Sequence, residues 1–356
     1  MSEDRNPADP RRGRGATINP PSRFAAQHAQ ACDDGWYQEP LPPLRTQVDP
    51  DASRSVISWN DSPDIPFDRS VNPYRGCEHG CVYCYARPGH AWLGLSPGLD
   101  FETRLFAKED AAALLRKELA APSYRCAPLA LGAVTDVYQP IERTRRITRQ
   151  VLEVLGELRH PVTIVTKSAL IERDIDLLAD LARDALVHVH LSITSLRAEL
   201  ARRLEPRAAS PQRRLDTIGR LRAVGIPVGV LVAPVIPVLS DAELEAVLAA
   251  ARQAGALAAG YVLLRLPLEV ADLFRAWLAE NAPGQAARVM ARVHDTRRGR
   301  DNDTSFGRRM VGTGVVAELI ARRFALATRR LGYAELPPLR TDLFRRPVGG
   351  GQLSLF

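Results

Sequence analysis

Residues 162–193 read VTIVTKSALIERDIDLLADLARDALVHVHLSI. Two short β-branched runs, VTIVTK at 162–167 and VHVHLSI at 187–193, enclose a helical pattern over 171–181. Continuous apolar strands alternating with amphipathic helices are the mark of a parallel sheet buried on both faces. The unit recurs downstream, with strands at 226–235 (IPVGVLVAPV) and 260–266 (GYVLLRL) and a helical pattern over 242–252. Adding a strand at 71–76 and another at 128–134 gives six βα units, so the expected fold class is α/β, an open, partial (β/α)6 TIM-like barrel. Polar residues recur just past the predicted strands, where the C-terminal rim of such a sheet builds its site: Asp136, Lys167, Ser168, Ser192 and Thr194.

Outward from this centre, 46% hydrophobic and 25% charged residues describe a globular chain with an ample core. No run approaches 18 apolar residues, and the opening MSEDRNPADPRRGRG has no apolar stretch behind its charges, so neither a membrane span nor a secretory signal is expected and a cytoplasmic location is. Residues 1–60 read as a partly disordered N-terminal arm, with Trp36 and Tyr37 as anchors, and residues 61–283 as the partial barrel. Residues 284–346 read as a basic helical C-terminal extension, and 347–356 as a flexible tail. From Gly284 onward 14 Arg face 6 Asp or Glu, so this region carries +8 in a chain whose total is +7. Such a surface suits nucleic-acid phosphates, or is a solvated face in an Arg-rich chain with only three lysines.

Of five cysteines (Cys32, Cys77, Cys81, Cys84 and Cys126), three fall within VNPYRGCEHGCVYCYARPGH at 71–90. Cys-x3-Cys-x2-Cys on one loop can wrap a cuboidal iron–sulfur cluster and leave its fourth iron without a protein ligand. Structural zinc completed by His79 or His90 is the competing assignment, but only one Cys-x2-Cys knuckle is present.

The spacing, with Tyr83 before the last cysteine and a strand before the loop, resembles the radical S-adenosylmethionine superfamily. That resemblance implies a 4Fe-4S cluster whose open iron binds S-adenosylmethionine, reductive cleavage to a 5′-deoxyadenosyl radical, and an external electron donor. Over most of 12–333 the chain also resembles the spore photoproduct lyase-related branch, through NPYRGCEHGC (72–81), LGLSPGLDFET (93–103), TDVYQPIE (135–142) and LEPRAASPQRRL (204–215). By this resemblance Lys167 and Thr135 hold the cofactor's carboxylate, Ser192 or Thr194 reaches its ribose, and Tyr83 and Ala233 line its adenine. Asp136 joins this set, while Asp136, Glu142, Glu205 and Arg207 shape the substrate side or form structural ion pairs. The lyase carries its hydrogen-donor cysteine near the end of the second strand. Here Gly132, Ala133, Val134 and Thr135 stand there, so the same radical relay is not expected.

The chain ends GGGQLSLF. Gln352, Leu353, Ser354, Leu355 and Phe356 resemble the pentapeptide with which bacterial repair enzymes dock on the sliding clamp, a glutamine contact followed by two apolar anchors on a flexible tether. Together with the basic extension, this makes DNA the leading substrate. The alternatives are radical modification of RNA, protein or a small molecule, and a noncatalytic, metal-stabilised nucleic-acid-binding protein.

Overall fold

The computed structural model describes residues 11, 13–26 and 42–347. Cys32, Trp36, Tyr37 and the pentapeptide at 352–356 lie outside the described residues.

In chain order the strands are β1 (Gln47–Pro50), β2 (Ile57–Trp59), β3 (Arg69–Val71), β4 (Tyr74–Arg75), β5 (Arg104–Ala107), β6 (Leu129–Leu131), β7 (Val162–Thr166), β8 (Val187–Ser192), β9 (Val228–Val235) and β10 (Ala258–Leu263). The large sheet runs β10-β9-β8-β7-β6-β3-β2. Six of its strands, β3 and β6 to β10, are mutually parallel, and β2 closes one edge antiparallel to β3. This is the expected partial (β/α)6 TIM-like barrel, with β10 and β2 as its two free edges. A second sheet, β1-β5-β4, forms beside the first strand from residues between 47 and 107. Two strands therefore arise within 1–60, a stretch whose composition suggests none.

The strand boundaries differ from expectation at both early units. β3 ends at Val71, and residues 74–75 belong to the small sheet. β6 stops at Leu131 because Gly132 turns away at φ +90°, where a Cβ would lie 2.4 Å from Val165 O. The other strands hold because Val162, Ile164, Val187, Val189, Leu191, Val228 and Val230 are fully buried against the surrounding helices. Helix Ile147–Glu157 is typical: Ile147, Val151, Leu152, Val154 and Leu155 make one buried stripe. Each such side chain stabilises by roughly 1.5–3 kcal/mol.

The basic extension supplies two helices, Ala286–Thr296 and Gly314–Arg330. The second packs on β10 through the Tyr261–Phe324 ring contact at 4.7 Å and pairs Arg323 with Glu245 at 2.6 Å. The segment between these helices is anchored by Arg297, a fully buried side chain. Its donors reach four carbonyls: Leu263 O at 2.7 Å, Leu264 O at 2.8 Å, Arg309 O at 2.9 Å and Arg308 O at 3.2 Å. Arg309 then clasps Asp64 bidentately, joining the extension on the β10 side to the β2–β3 loop on the other. Among the described residues no helix is long and apolar enough to cross a membrane.

Beneath the strands the chain returns at 340–346, where Arg345 N donates to Leu158 O and Phe344 packs edge-on against His160. His160 is wholly buried. Its Nε2 receives the Tyr124 hydroxyl at 2.7 Å while Nδ1–H donates to Pro161 O at 2.9 Å, the tautomer of a neutral ring. Burial lowers its pKa to about 4, with Arg69 adding to the effect against the Pro161 bond. Because the folded value lies below the unfolded one, the contribution of His160 is complete above about pH 6.5 and is lost as pH falls toward 4. Between pH 7.5 and 5 the wild type should therefore lose about 2 kcal/mol more in urea unfolding than His160→Gln, which keeps the other buried histidines. Equal slopes for the two proteins would refute this role.

Candidate active site

The cysteine loop leaves β3 and is shaped by two left-handed glycines. Gly76 sits at φ +77°, where a Cβ would lie 2.5 Å from Leu105 Cδ2 and 2.8 Å from Phe101 O. Gly80 sits at φ +67°, with 2.7 Å to Glu102 Oε2. Only glycine suits both positions. Cys77 and Cys81 are buried, Cys84 is half-buried, and all three are free thiols. Burial, then Asp136, raises Cys77, while burial, then Glu205, pushes Cys81 up to about 12. These two thiols are therefore protonated at neutral pH.

Two buried ion pairs hold this loop. On one side Arg87 donates to Cys81 O at 2.9 Å, to Gly98 O at 2.8 Å and to Glu102 Oε1 at 2.5 Å. Glu102 also accepts the Gly15 and Ala16 amides at 2.9 and 2.8 Å, so part of the N-terminal arm straps onto the loop. A Cβ on Gly15 would lie 1.7 Å from Gly80 O. On the other side residues 204–209 lie along the loop, with Val82 N donating to Leu204 O at 3.1 Å and Arg207 N to His79 O at 3.3 Å. Within this segment Glu205 accepts from the Tyr83 hydroxyl and from Arg214. Burial opposes the charge on Glu205, but Arg214 and Lys167 outweigh it and lower its pKa.

At the strand ends, Lys167 Nζ donates to Ser192 Oγ at 3.1 Å and lies 5.9 Å from the centre of the Tyr83 ring. Ser192 donates to Ala233 O at 3.0 Å, and the Thr194 hydroxyl reaches Ala233 O at 2.9 Å, Glu205 Oε1 at 2.7 Å and Tyr83 OH at 3.1 Å. Five candidates from the sequence, Tyr83, Lys167, Ser192, Thr194 and Ala233, thus form one hydrogen-bonded group beside Cys81 and Cys84. Lys167 has no carboxylate within ion-pair distance among the described residues.

Thr135 is not part of that side-chain network, and Asp136 meets it only at the Lys167 backbone amide. The Thr135 hydroxyl donates to Tyr74 O at 3.3 Å. Asp136 accepts from Thr166 Oγ1 at 2.7 Å, Tyr138 N at 2.9 Å and Lys167 N at 2.7 Å, and its Oδ2 lies 3.2 Å from His79 Nδ1. Burial would raise this carboxyl, yet His79 and those donors hold it at about 2. Asp136 therefore braces the β6 and β7 loops, its oxygens engaged by the scaffold. Glu142 pairs with Arg173 at 2.7 Å and Arg207 with Glu78 at 3.1 Å. Arg87, Glu102 and Arg214 were not legible as site residues, although a buried Arg–Glu pair needs only a long-range partner that sequence spacing does not reveal.

The donor set fits a cubane. Three thiols leave one loop, and of the two histidines that could complete a zinc site His90 is engaged, with its Nε2 2.8 Å from Arg104 O, while His79 Nδ1 lies 3.2 Å from Asp136. Among the described residues no three His, Cys, Asp or Glu side chains could hold a single metal ion between them.

The sequence profile of the Radical SAM superfamily matches residues 71–251, so this chain belongs to the radical SAM superfamily of enzymes, which use a 4Fe-4S cluster and S-adenosylmethionine. An uncharacterised protein of Mycobacterium tuberculosis is 38% identical over 226 residues, 63% of this chain and 66% of that protein, just under two thirds of its length. The Radical SAM Nalpha-GlyT isomerase of Pseudomonas phage M6 is 26% identical over 206 residues, 57% of this chain and 38% of that one. Among solved structures, a spore photoproduct lyase variant with bound AdoMet and dinucleoside spore photoproduct superposes with a TM-score of 0.59 at 15% identity, over 80% of both chains. The fold is the same.

Removing the Glu205 carboxylate leaves Arg214 buried without its partner. Glu205→Ala is expected to lower unfolding stability by roughly 3–5 kcal/mol, and Tyr83→Phe, which deletes one hydrogen bond, by about 1 kcal/mol. Denaturant midpoints measure both, and equal small losses would show that the clasp is not what holds the loop.

Proposed function

We propose that this enzyme directs its radical chemistry at nucleobases in DNA, in repair or base modification. When bound, the cluster and S-adenosylmethionine supply reductive cleavage of a sulfur–carbon bond, with an electron from an external donor, and a 5′-deoxyadenosyl radical. Around them this chain offers Cys77, Cys81 and Cys84 as iron ligands and Lys167 as the cation for the cofactor's carboxylate. Ser192 and Thr194 offer hydroxyls on the ribose side, and Tyr83 with Ala233 frames the adenine. Thr135 and Asp136 support the loops beneath.

The observation that carries the DNA reading is the surface of the extension. Arg298, Arg300 and Arg308 are exposed on the segment that Arg297 ties to the end of β10, with Phe306 58% exposed among them. Interleaved arginines and an exposed ring suit a nucleic-acid strand, whose phosphates and bases they meet separately. The dinucleoside ligand in the lyase structure supports the same substrate class. Docking on the sliding clamp through the terminal pentapeptide rests on the sequence motif.

Anaerobically reconstituted protein tests the proposal through the rate of 5′-deoxyadenosine formation. Oligodeoxynucleotides carrying modified or damaged bases should stimulate it above the substrate-free rate. Stimulation by RNA or peptides alone would overturn the DNA assignment. Lys167→Ala should weaken S-adenosylmethionine binding roughly tenfold to a hundredfold, the worth of one charge-assisted hydrogen bond. Unchanged affinity would remove Lys167 from the cofactor site.

A further inference from the structure

Cys84 stands between two tyrosines, and each ring carries a cation. Lys167 lies over Tyr83, while on the other side the Arg265 guanidinium lies 4.3 Å over the ring of Tyr85. The Tyr85 hydroxyl donates to Ala133 O just past β6, so this side chain spans from the β6 loop to the β10 side of the barrel mouth. Arg265 is two residues beyond β10. It is half-buried and makes no hydrogen bond or ion pair with a described residue.

That state sets it apart from the other arginines that build the site. Arg87 has Glu102, Arg214 has Glu205, Arg309 has Asp64, and Arg297 has four carbonyls. Burial lowers the pKa of Arg265; Tyr85 offsets part of this, and Arg309 adds to it. A partly desolvated guanidinium with its fork of donors free is costly unless an anion completes it. A guanidinium held over a ring by its face keeps its in-plane N–H groups for other partners, and a phosphate meets them with two parallel bonds.

We propose that Arg265, backed by Tyr85, binds one backbone phosphodiester of a nucleic-acid substrate and so places the adjoining nucleotide in the mouth beside Cys84. This rests on the nucleic-acid reading above and deepens it. The exposed Arg300, Phe306 and Arg308 carry the strand onward from Arg265. Lys167, on the far side of Cys84, is left to the cofactor, so the two cations divide cofactor from substrate.

The test is fluorescence anisotropy of full-length, cluster-loaded protein with a labelled single-stranded oligodeoxynucleotide, titrated across a range of salt. Arg265→Ala should weaken binding roughly tenfold or more and make the slope of log affinity against log salt shallower by about 0.7, the release of one phosphate's counterion. Arg265→Lys should keep the slope but recover only part of the affinity, because it retains the charge without the fork. A scan with single neutral methylphosphonate linkages should find one position that weakens the wild type and not Arg265→Ala; on the wild type alone it remains decisive should the alanine variant fold poorly. Wild-type binding that Arg265→Ala leaves unchanged in affinity and slope, or a scan without any sensitive position, overturns this inference alone. Failure of the wild type to bind the oligonucleotide at any salt overturns the nucleic-acid reading and this inference with it.

Discussion

The structure depends on the carboxylate of Glu102. It is fully buried, and it gathers Arg87, the amide of Gly15 and the amide of Ala16 around two oxygen atoms. Arg87 in turn holds Cys81 O. One charge thus fixes the cysteine loop to the helix Asp100–Thr103 and to an N-terminal strap almost a hundred residues earlier in the chain. Removing either member would leave the other charge uncompensated in the interior, at a cost of roughly 3–5 kcal/mol. Glu205 and Arg214 perform the same task on the opposite side. A loop that must present three thiols in one fixed arrangement is therefore gripped from both sides by ionic clasps, because so short and glycine-rich a segment has little apolar surface of its own to bury.

The open side of the barrel follows from the same economy of strands. With six parallel strands the sheet does not close on itself, and β10 and β2 remain as edges. The basic extension bridges them: Arg297 secures it to the carbonyls at the end of β10, and Arg309 clasps Asp64 in the β2–β3 loop. The wall built this way stands next to Tyr85 and Cys84. It sets Arg265 over one tyrosine while Lys167 covers the other, so the mouth has a cation on either side of the half-buried cysteine.

Much of this was legible from residues alone, and the reasons differ from part to part. The runs at 162–167, 187–193 and 226–235 announce themselves because parallel strands buried on both faces are continuously apolar. β3 and β6 are only three residues long and were placed less well; Gly132 ends β6 through a backbone approach that no pattern encodes. β1 was missed because QVDP has neither alternation nor a β-branched run, and its pairing with β5 is set by tertiary contact. Lys167, Ser192 and Thr194 were foreseeable as a group since rim positions after successive strands converge by topology, while Tyr83 and Ala233 follow only from the family resemblance. Glu205 stayed ambiguous and Glu102 invisible, because an ion pair between distant segments leaves no period. Asp136 shares the rim position, with its oxygens engaged by Thr166, Tyr138 and Lys167.

The proposed function rests on an iron that no thiolate of this chain ligates. Mössbauer spectroscopy of protein reconstituted with iron-57, recorded before and after S-adenosylmethionine is added, tests that directly. The account requires about four irons per chain and a change confined to about a quarter of the spectrum. Stoichiometric zinc in place of iron, or an iron spectrum that the cofactor leaves untouched, would contradict it.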